Sequence, residues 1–209
     1  MRTLRLQSTS IEKNSNSINL FFGGSITNFD NERIQEFDND FGTGTISGIT
    51  LTSGLSFMQY DVNFREELKI QMNPAPENPI YFVYCLKGKV VQNFNGTDIP
   101  KTLNEFQTAI LGGTGEISEI IFPSDQNVKL FIIRVTEDPN AINTDSLKEQ
   151  LYNLFSEGKE QPLRYFGTYN LRIGEQLAQI DKISQRGVVK KLLIEGILNL
   201  TLAMEIQHL

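Results

Sequence analysis

Residues able to do chemistry are scarce in this chain. The one histidine, His208, stands next to the last residue, and the one cysteine, Cys85, lies inside the apolar run 80–86. A Cys-His or Ser-His-Asp assembly needs an imidazole held against its nucleophile by the fold, and a terminal histidine reads as solvated. Tetrahedral zinc takes its ligands largely from Cys and His, so one of each gives no ordinary zinc site. We expect no catalytic residue, no metal and no cofactor. Among carboxylates, Asp38-Asn39-Asp40 in the acidic stretch 29–42 invites a calcium reading, but it lacks the EF-hand spacing and its closing Glu. A solvated acidic loop is the expectation. Two glycine-rich stretches, 41–48 and 111–118, could suggest phosphate cradles. Neither continues as Gly-Lys-Ser/Thr, and both lead into strand-like sequence rather than a helix, so both read as turns.

The elements around these residues change character near Asp138-Pro139. Before that point, segments 44–54, 55–64, 68–73, 80–88, 89–96, 106–113, 116–122 and 128–135 have strand length. Several alternate apolar and polar residues, and Gly, Pro, Asn or Asp lie between them. About eight short strands at this spacing predict a sandwich or closed barrel rather than a parallel α/β sheet. Segment 22–42 carries no dominant period. In 80–86, alternation puts Tyr81, Val83 and Cys85 on one face and Phe82, Tyr84 and Leu86 on the other, and the pattern does not say which face looks inward. Aromatic residues interleave the strands. Most must be core, and a few could line a small-molecule pocket.

After Pro139 the period is helical. Segment 143–158 offers Ser146 to Glu149 with capping-box spacing, Leu147, Leu151, Leu154 and Phe155 as a stripe, and Gly158 as a stop. Segment 168–183 repeats the idea with Ile173, Leu177 and Ile180. In 187–209, Val189, Leu193, Ile197, Leu200 and Met204 form one stripe, and Ile194, Leu198, Leu202 and Ile206 form another. A helix apolar on two sides needs two partners. Either the barrel and neighbouring helices bury it, or a subunit interface takes one side.

The totals narrow the function classes. With 39% hydrophobic residues and 14 Phe in 209 residues, the chain has ample core material. A net charge of −6 and a pI near 4.9 argue against DNA binding by these residues alone, because phosphate neutralisation supplies most of that affinity. The N-terminus shows no secretory pattern and no run approaches transmembrane length, so Asn95-Gly96-Thr97 reads as a turn rather than a glycosylation site. A lone cysteine suits a reducing cytoplasm.

The segment 80–113 resembles the central part of a cupin barrel. With the glycine of the first cupin motif set on Gly88, Tyr81 takes the glutamate position. The histidine positions fall within 73–78, where only Glu77 could bind a metal. In the second motif, Asn104 replaces the opening glycine, Gly112 matches a later one, and the closing histidine falls near Gly115. The segment 185–209 is similar to the linker helix of AraC-type transcription regulators, with Gly187, Lys190, Lys191, Leu192, Glu195 and Leu198 where that pattern wants them and Gly196-Ile197 as a departure.

The resemblance implies a mainly β protein, with a cupin-like β-barrel (double-stranded β-helix) over 1–138 and an α-helical linker and dimerisation segment over 139–209. It implies a metal-free barrel that senses a small-molecule effector, with Tyr81, Tyr84 and Glu77 as ligand-binding candidates. A homodimer would form through Leu193, Ile194, Ile197, Leu198 and Leu202. DNA contact would come from a helix-turn-helix domain not among these residues. A stand-alone, metal-free cupin isomerase or epimerase and a plain binding protein are the rival expectations.

Overall fold

The fold is described from a computed structural model over residues 1–6, 11–29, 32–51, 55–73, 79–94, 99–112, 117–136, 150, 151, 154 and 163–207. Its strands are β1 (Arg2–Leu6), β2 (Ser25–Phe29), β3 (Glu32–Asn39), β4 (Gly42–Thr50), β5 (Leu55–Phe64), β6 (Leu68–Met72), β7 (Ile80–Lys87), β8 (Lys89–Phe94), β9 (Lys101–Asn104), β10 (Gln107–Gly112), β11 (Ser118–Phe122), β12 (Asn127–Val135) and β13 (Leu163–Phe166). The helices are α1 (Ile11–Phe22), α2 (Leu171–Leu177) and α3 (Gly187–Gln207), with a 3-10 turn at Ile180–Lys182.

The strand order defines the topology. One sheet runs β1-β6-β11-β8-β9 and the other β13-β10-β7-β12-β5-β4-β3-β2. Strands β5 to β12 pair as a rolled-up hairpin. β5 lies against β12, β6 against β11, β7 against β10 and β8 against β9, all antiparallel. That is a jelly roll, the double-stranded β-helix of cupins. The sheets face each other without closing into one continuous barrel, so of the two expected arrangements, sandwich or closed barrel, the chain takes the first.

Three additions surround this frame. β1 joins the five-stranded sheet parallel to β6. The meander β2-β3-β4 extends the larger sheet beyond β5, and β13, from the C-terminal segment, closes its other edge on β10. Sequence reading missed β1, β2, β3, β9, β13 and α1. Four of these strands, β1, β2, β9 and β13, have five residues or fewer and are largely exposed or half-exposed, so period-2 alternation has little length in which to show.

The core has two layers. Between the sheets lie the inward residues of the jelly roll, among them Tyr60, Val83, Cys85, Ile120 and Phe122. α1 inserts Ile18 and Phe22 into this layer, where Phe22 stacks on Phe37 at 5.1 Å and on Phe64 at 5.4 Å. Each fully buried Phe contributes roughly 1.5–3 kcal/mol of hydrophobic stabilisation. The second layer covers the outer face of the larger sheet. Ile80, Phe82, Tyr84, Phe131 and Ile133 meet Ile173, Leu177, Ile194, Leu198 and Leu202 there. β7 and β12 are therefore buried on both faces, which is why 80–86 and 128–135 read as nearly unbroken apolar runs instead of alternating ones.

The helical expectations for 168–183 and 187–209 hold over most of their length. Asn170 caps α2, its side-chain oxygen accepting from the Ile173 N–H at 3.3 Å. α2 docks closely because Gly174 leaves room for Phe106: a Cβ there would sit 2.6 Å from the ring. The capping box at Ser146 and Glu149, Leu147, Phe155 and the stop at Gly158 fall outside the described residues. Of that helix, Gln150, Leu151 and Leu154 are helical, and Leu151 is buried in the outer layer.

Candidate functional site

The inter-sheet interior comes first, because a barrel that senses a ligand must have room for one. Alternation along β7 turns Tyr81, Val83 and Cys85 towards the facing sheet. The cavity beside Tyr81 is about 40 Å³, shared with Leu6, Asn14, Tyr60 and Arg134. That volume takes a few waters, whereas small-molecule pockets run to about 300 Å³ or more. Its polar groups are constrained by the fold. Arg134 donates its Nε–H to Ser56 Oγ at 2.8 Å, and burial pushes the Tyr60 hydroxyl well above its ordinary value. Among the described residues, aromatic stacking from α1 occupies one end of this interior.

Tyr84 does not join this cavity. It points out of the opposite sheet face and donates its hydroxyl to Glu205 Oε2 of α3 at 2.8 Å. Burial first, then the Glu205 charge and hydrogen bond, hold the Tyr84 hydroxyl far above the usual phenol range. Of the pocket candidates, Tyr84 thus lies in the helix layer, one residue of register away from the interior face that holds Tyr81. Glu77 and the whole stretch 74–78 lie outside the described residues, as do Gly115 and His208.

The remaining sequence candidates have structural roles. Asn39 of the acidic stretch donates to the Phe22 carbonyl at 2.7 Å and accepts from the Phe41 N–H at 2.9 Å, locking the β3–β4 turn onto the end of α1. Gly88 has φ +77°, and a Cβ there would sit 2.5 Å from the Asn127 carbonyl, so the β7–β8 turn demands glycine. The stretch 41–48, expected as a turn, is from Gly42 onward strand β4, because its glycines let β4 lie close on β5: Gly44 at φ +156° passes close over the Asp61 carbonyl. Burial, helped by the charge of Glu105, pushes the Cys85 thiol up to about 12, which leaves it protonated and unreactive at neutral pH. Among the described residues no cluster of His, Cys, Asp and Glu could hold a metal ion.

α3 is the other candidate. Two polar ties fix it to the larger sheet. Lys190 Nζ reaches both carboxylate oxygens of Glu32 on β3 at 2.7 and 2.6 Å, and Glu205, two residues before the helix ends, receives Tyr84. In the turn preceding α3, Asp181 takes Lys129 Nζ at 2.6 Å, a lysine that also holds Asp61 at 3.0 Å. Between the ties, Ile194, Leu198 and Leu202, three of the residues expected at a subunit interface, are buried in the layer that α3 shares with the chain's own sheet. Leu193 faces solvent and Ile197 sits half-buried at the boundary. The outward face carries Val189, Leu192, Leu193 and Leu200, which are 53%, 63%, 42% and 48% exposed. Gly196 lies among them with open space where a side chain would be. The stripe expected from sequence holds Val189, Leu193 and Leu200 of this face and lacks Leu192 and Gly196. The 100° step from Val189 to Leu192, Leu193 and Gly196 would have found them.

No protein-family profile matches the sequence, and no curated protein matches it. Similar solved structures include cupin proteins and the cupin domains of regulators. A cupin protein of the double-stranded β-helix fold from Methanocaldococcus jannaschii shares 15% identity, with 49% of this chain and 89% of that one covered and a TM-score of 0.34. The AraC-like transcriptional activator CuxR shares 8% identity over 85% of this chain and 61% of that one, at a TM-score of 0.46. A variant of ToxT from Vibrio cholerae shares 11% identity over 70% and 54%, also at 0.46. This chain thus spans little more than half the length of the last two. The strand order, not these likenesses, makes the fold a jelly roll.

Proposed function

We propose that this chain is the effector-sensing and dimerising part of an AraC-like transcription regulator, acting in the cytoplasm and not as an enzyme. α3 is the observation that carries the reading. One side of this 21-residue helix is sealed against the sheet, while the other offers Val189, Leu192, Leu193, Gly196 and Leu200 to solvent. A helix apolar all round is stable in water only when both faces are covered. The occupant we infer is a second copy of α3, because leucines spaced at three and four residues around a bare glycine let two such helices approach closely. DNA contact is left to a helix-turn-helix unit outside these residues, which accords with the −6 charge. An effector that prefers one packing of α3 on the sheet would re-space the two DNA-binding units on their half-sites.

Sedimentation equilibrium tests the reading. We expect a dimer whose melting temperature rises with protein concentration, and we expect Leu193→Glu combined with Leu200→Glu to give a folded monomer whose melting temperature does not depend on concentration. A wild-type chain that stays monomeric up to its solubility limit overturns the proposal.

A further inference from the structure

A second cleft, about ten times larger than the cavity beside Tyr81, lies at the root of α3. It measures about 410 Å³ and is walled by β2, β3 and β4 on one side and by residues 183–191 on the other. That size falls within the usual range for small-molecule sites, about 300–1,000 Å³. Its walls are apolar, with Phe29, Ile34, Ile49 and Ile183, and its charges lie along the segment that enters the helix. Among the described residues, three cations, Arg186, Lys190 and Lys191, face one carboxylate, Glu32. Glu32 is already spoken for by Lys190. Arg186 stands over the Phe29 ring at 5.4 Å, and among the described residues neither Arg186 nor Lys191 has an anionic partner. The first turn of α3 contains no acidic side chain, so its free N–H groups add to the positive field. A surplus of cations around an apolar cleft, in a chain of net charge −6, is suited to an anion with an apolar body.

We propose that this cleft binds a small organic anion, a carboxylate or phosphate head on an apolar body. Arg186 and Lys191 take the head, and Phe29, Ile34, Ile49 and Ile183 surround the body. As an effector site it rests on the regulator reading above, because a ligand clamped between β2–β4 and residues 183–191 touches both the sheet and the start of the dimerising helix. As a binding site it stands alone.

Naphthalene-2-carboxylate is a suitable probe, since the chain has no tryptophan and naphthalene emission can be followed by anisotropy. We expect saturable binding, about tenfold weaker in Arg186→Gln and in Lys191→Gln, since one charge-assisted contact is worth about that factor. Neutral naphthalene-2-carboxamide should bind at least tenfold more weakly than the acid. Naphthyl phosphate in the same assay tells a carboxylate site from a phosphate site, and tighter binding of either anion supports the proposal. If the amide binds as well as both anions, if both variants bind like wild type, or if neither anion binds, the proposal is overturned. The Leu193→Glu, Leu200→Glu chain should bind the probe unchanged. A wild-type chain that binds the probe yet never dimerises keeps the site and sinks the regulator reading.

Discussion

Tyr84 and Cys85 are neighbours in sequence, yet they face opposite layers and their ionisable groups answer to different surroundings. Tyr84 satisfies Glu205 across the sheet–helix boundary. Tyr84→Phe keeps the ring but removes a donor from a carboxylate that is only 4% exposed, and should cost about 1–3 kcal/mol in urea denaturation. Cys85 gives a pH dependence. Its thiol is raised from 9.0 to about 12 by burial, so the native state keeps a proton that the unfolded chain releases. The stability this confers is complete below pH 9 and is lost as pH rises towards about 12. The urea midpoint of the wild type should fall over that window more steeply than that of Cys85→Ala. Parallel curves would show that other groups govern the alkaline limb. Neither role was legible in sequence, because a period of two separates the faces of a strand without saying which one meets the helices.

At the scale of the element, α3 is where pattern and packing are easiest to separate. The spacing of Ile194, Leu198 and Leu202 and that of Val189, Leu193 and Leu200 are both in the sequence, and both stripes are real. Which stripe faces inward is fixed by the ties at Lys190–Glu32 and Tyr84–Glu205, whose partners are 158 and 121 residues away in sequence. Substitutions on the two stripes should therefore behave differently. Leu198→Ala, at 0% exposure, should cost about 2–5 kcal/mol and lower the melting temperature. Leu193→Ala should leave melting unchanged at concentrations where the chain is monomeric and weaken self-association. If both lower the melting temperature equally, α3 does not lie on the sheet in the orientation described. The polar tie at its N-terminal end is partly exposed, so Lys190→Gln should have a smaller effect on stability, as partly solvated ion pairs do.

For the molecule as a whole, the aromatic packing at the α1 end of the interior is the feature to test. A cupin without metal ligands can still hold a ligand if it is hollow, but here α1 sends Phe22 against Phe37 and Phe64, and Phe64 in turn meets Phe122 edge-on at 5.6 Å. Phe22→Ala should cost about 3–5 kcal/mol and open a cavity at this end of the jelly roll, detectable as a lowered melting temperature partly restored by a small apolar solute such as benzene. Two layers of core run through the fold, and the outer one joins residues on both sides of position 138, from Ile49 to Leu202.

The sequence by itself determined what period and composition can carry. These are the run of jelly-roll strands, their near-continuous apolar character at 80–86 and 128–135, the late helices with their two stripes, and a chemistry too poor in His and Cys for an ordinary metal or triad site. Long stretches of strong periodicity need no partner to be recognised, because burial of a whole face imposes them. The tertiary structure alone decided which face each strand shows to which layer, that α1 plugs the interior, that β1 and β13 extend the sheets, and that Arg186, Lys191 and Phe29 meet around a cleft. Those outcomes depend on contacts between residues up to about 160 positions apart, set by pairing register and close packing rather than by local preference.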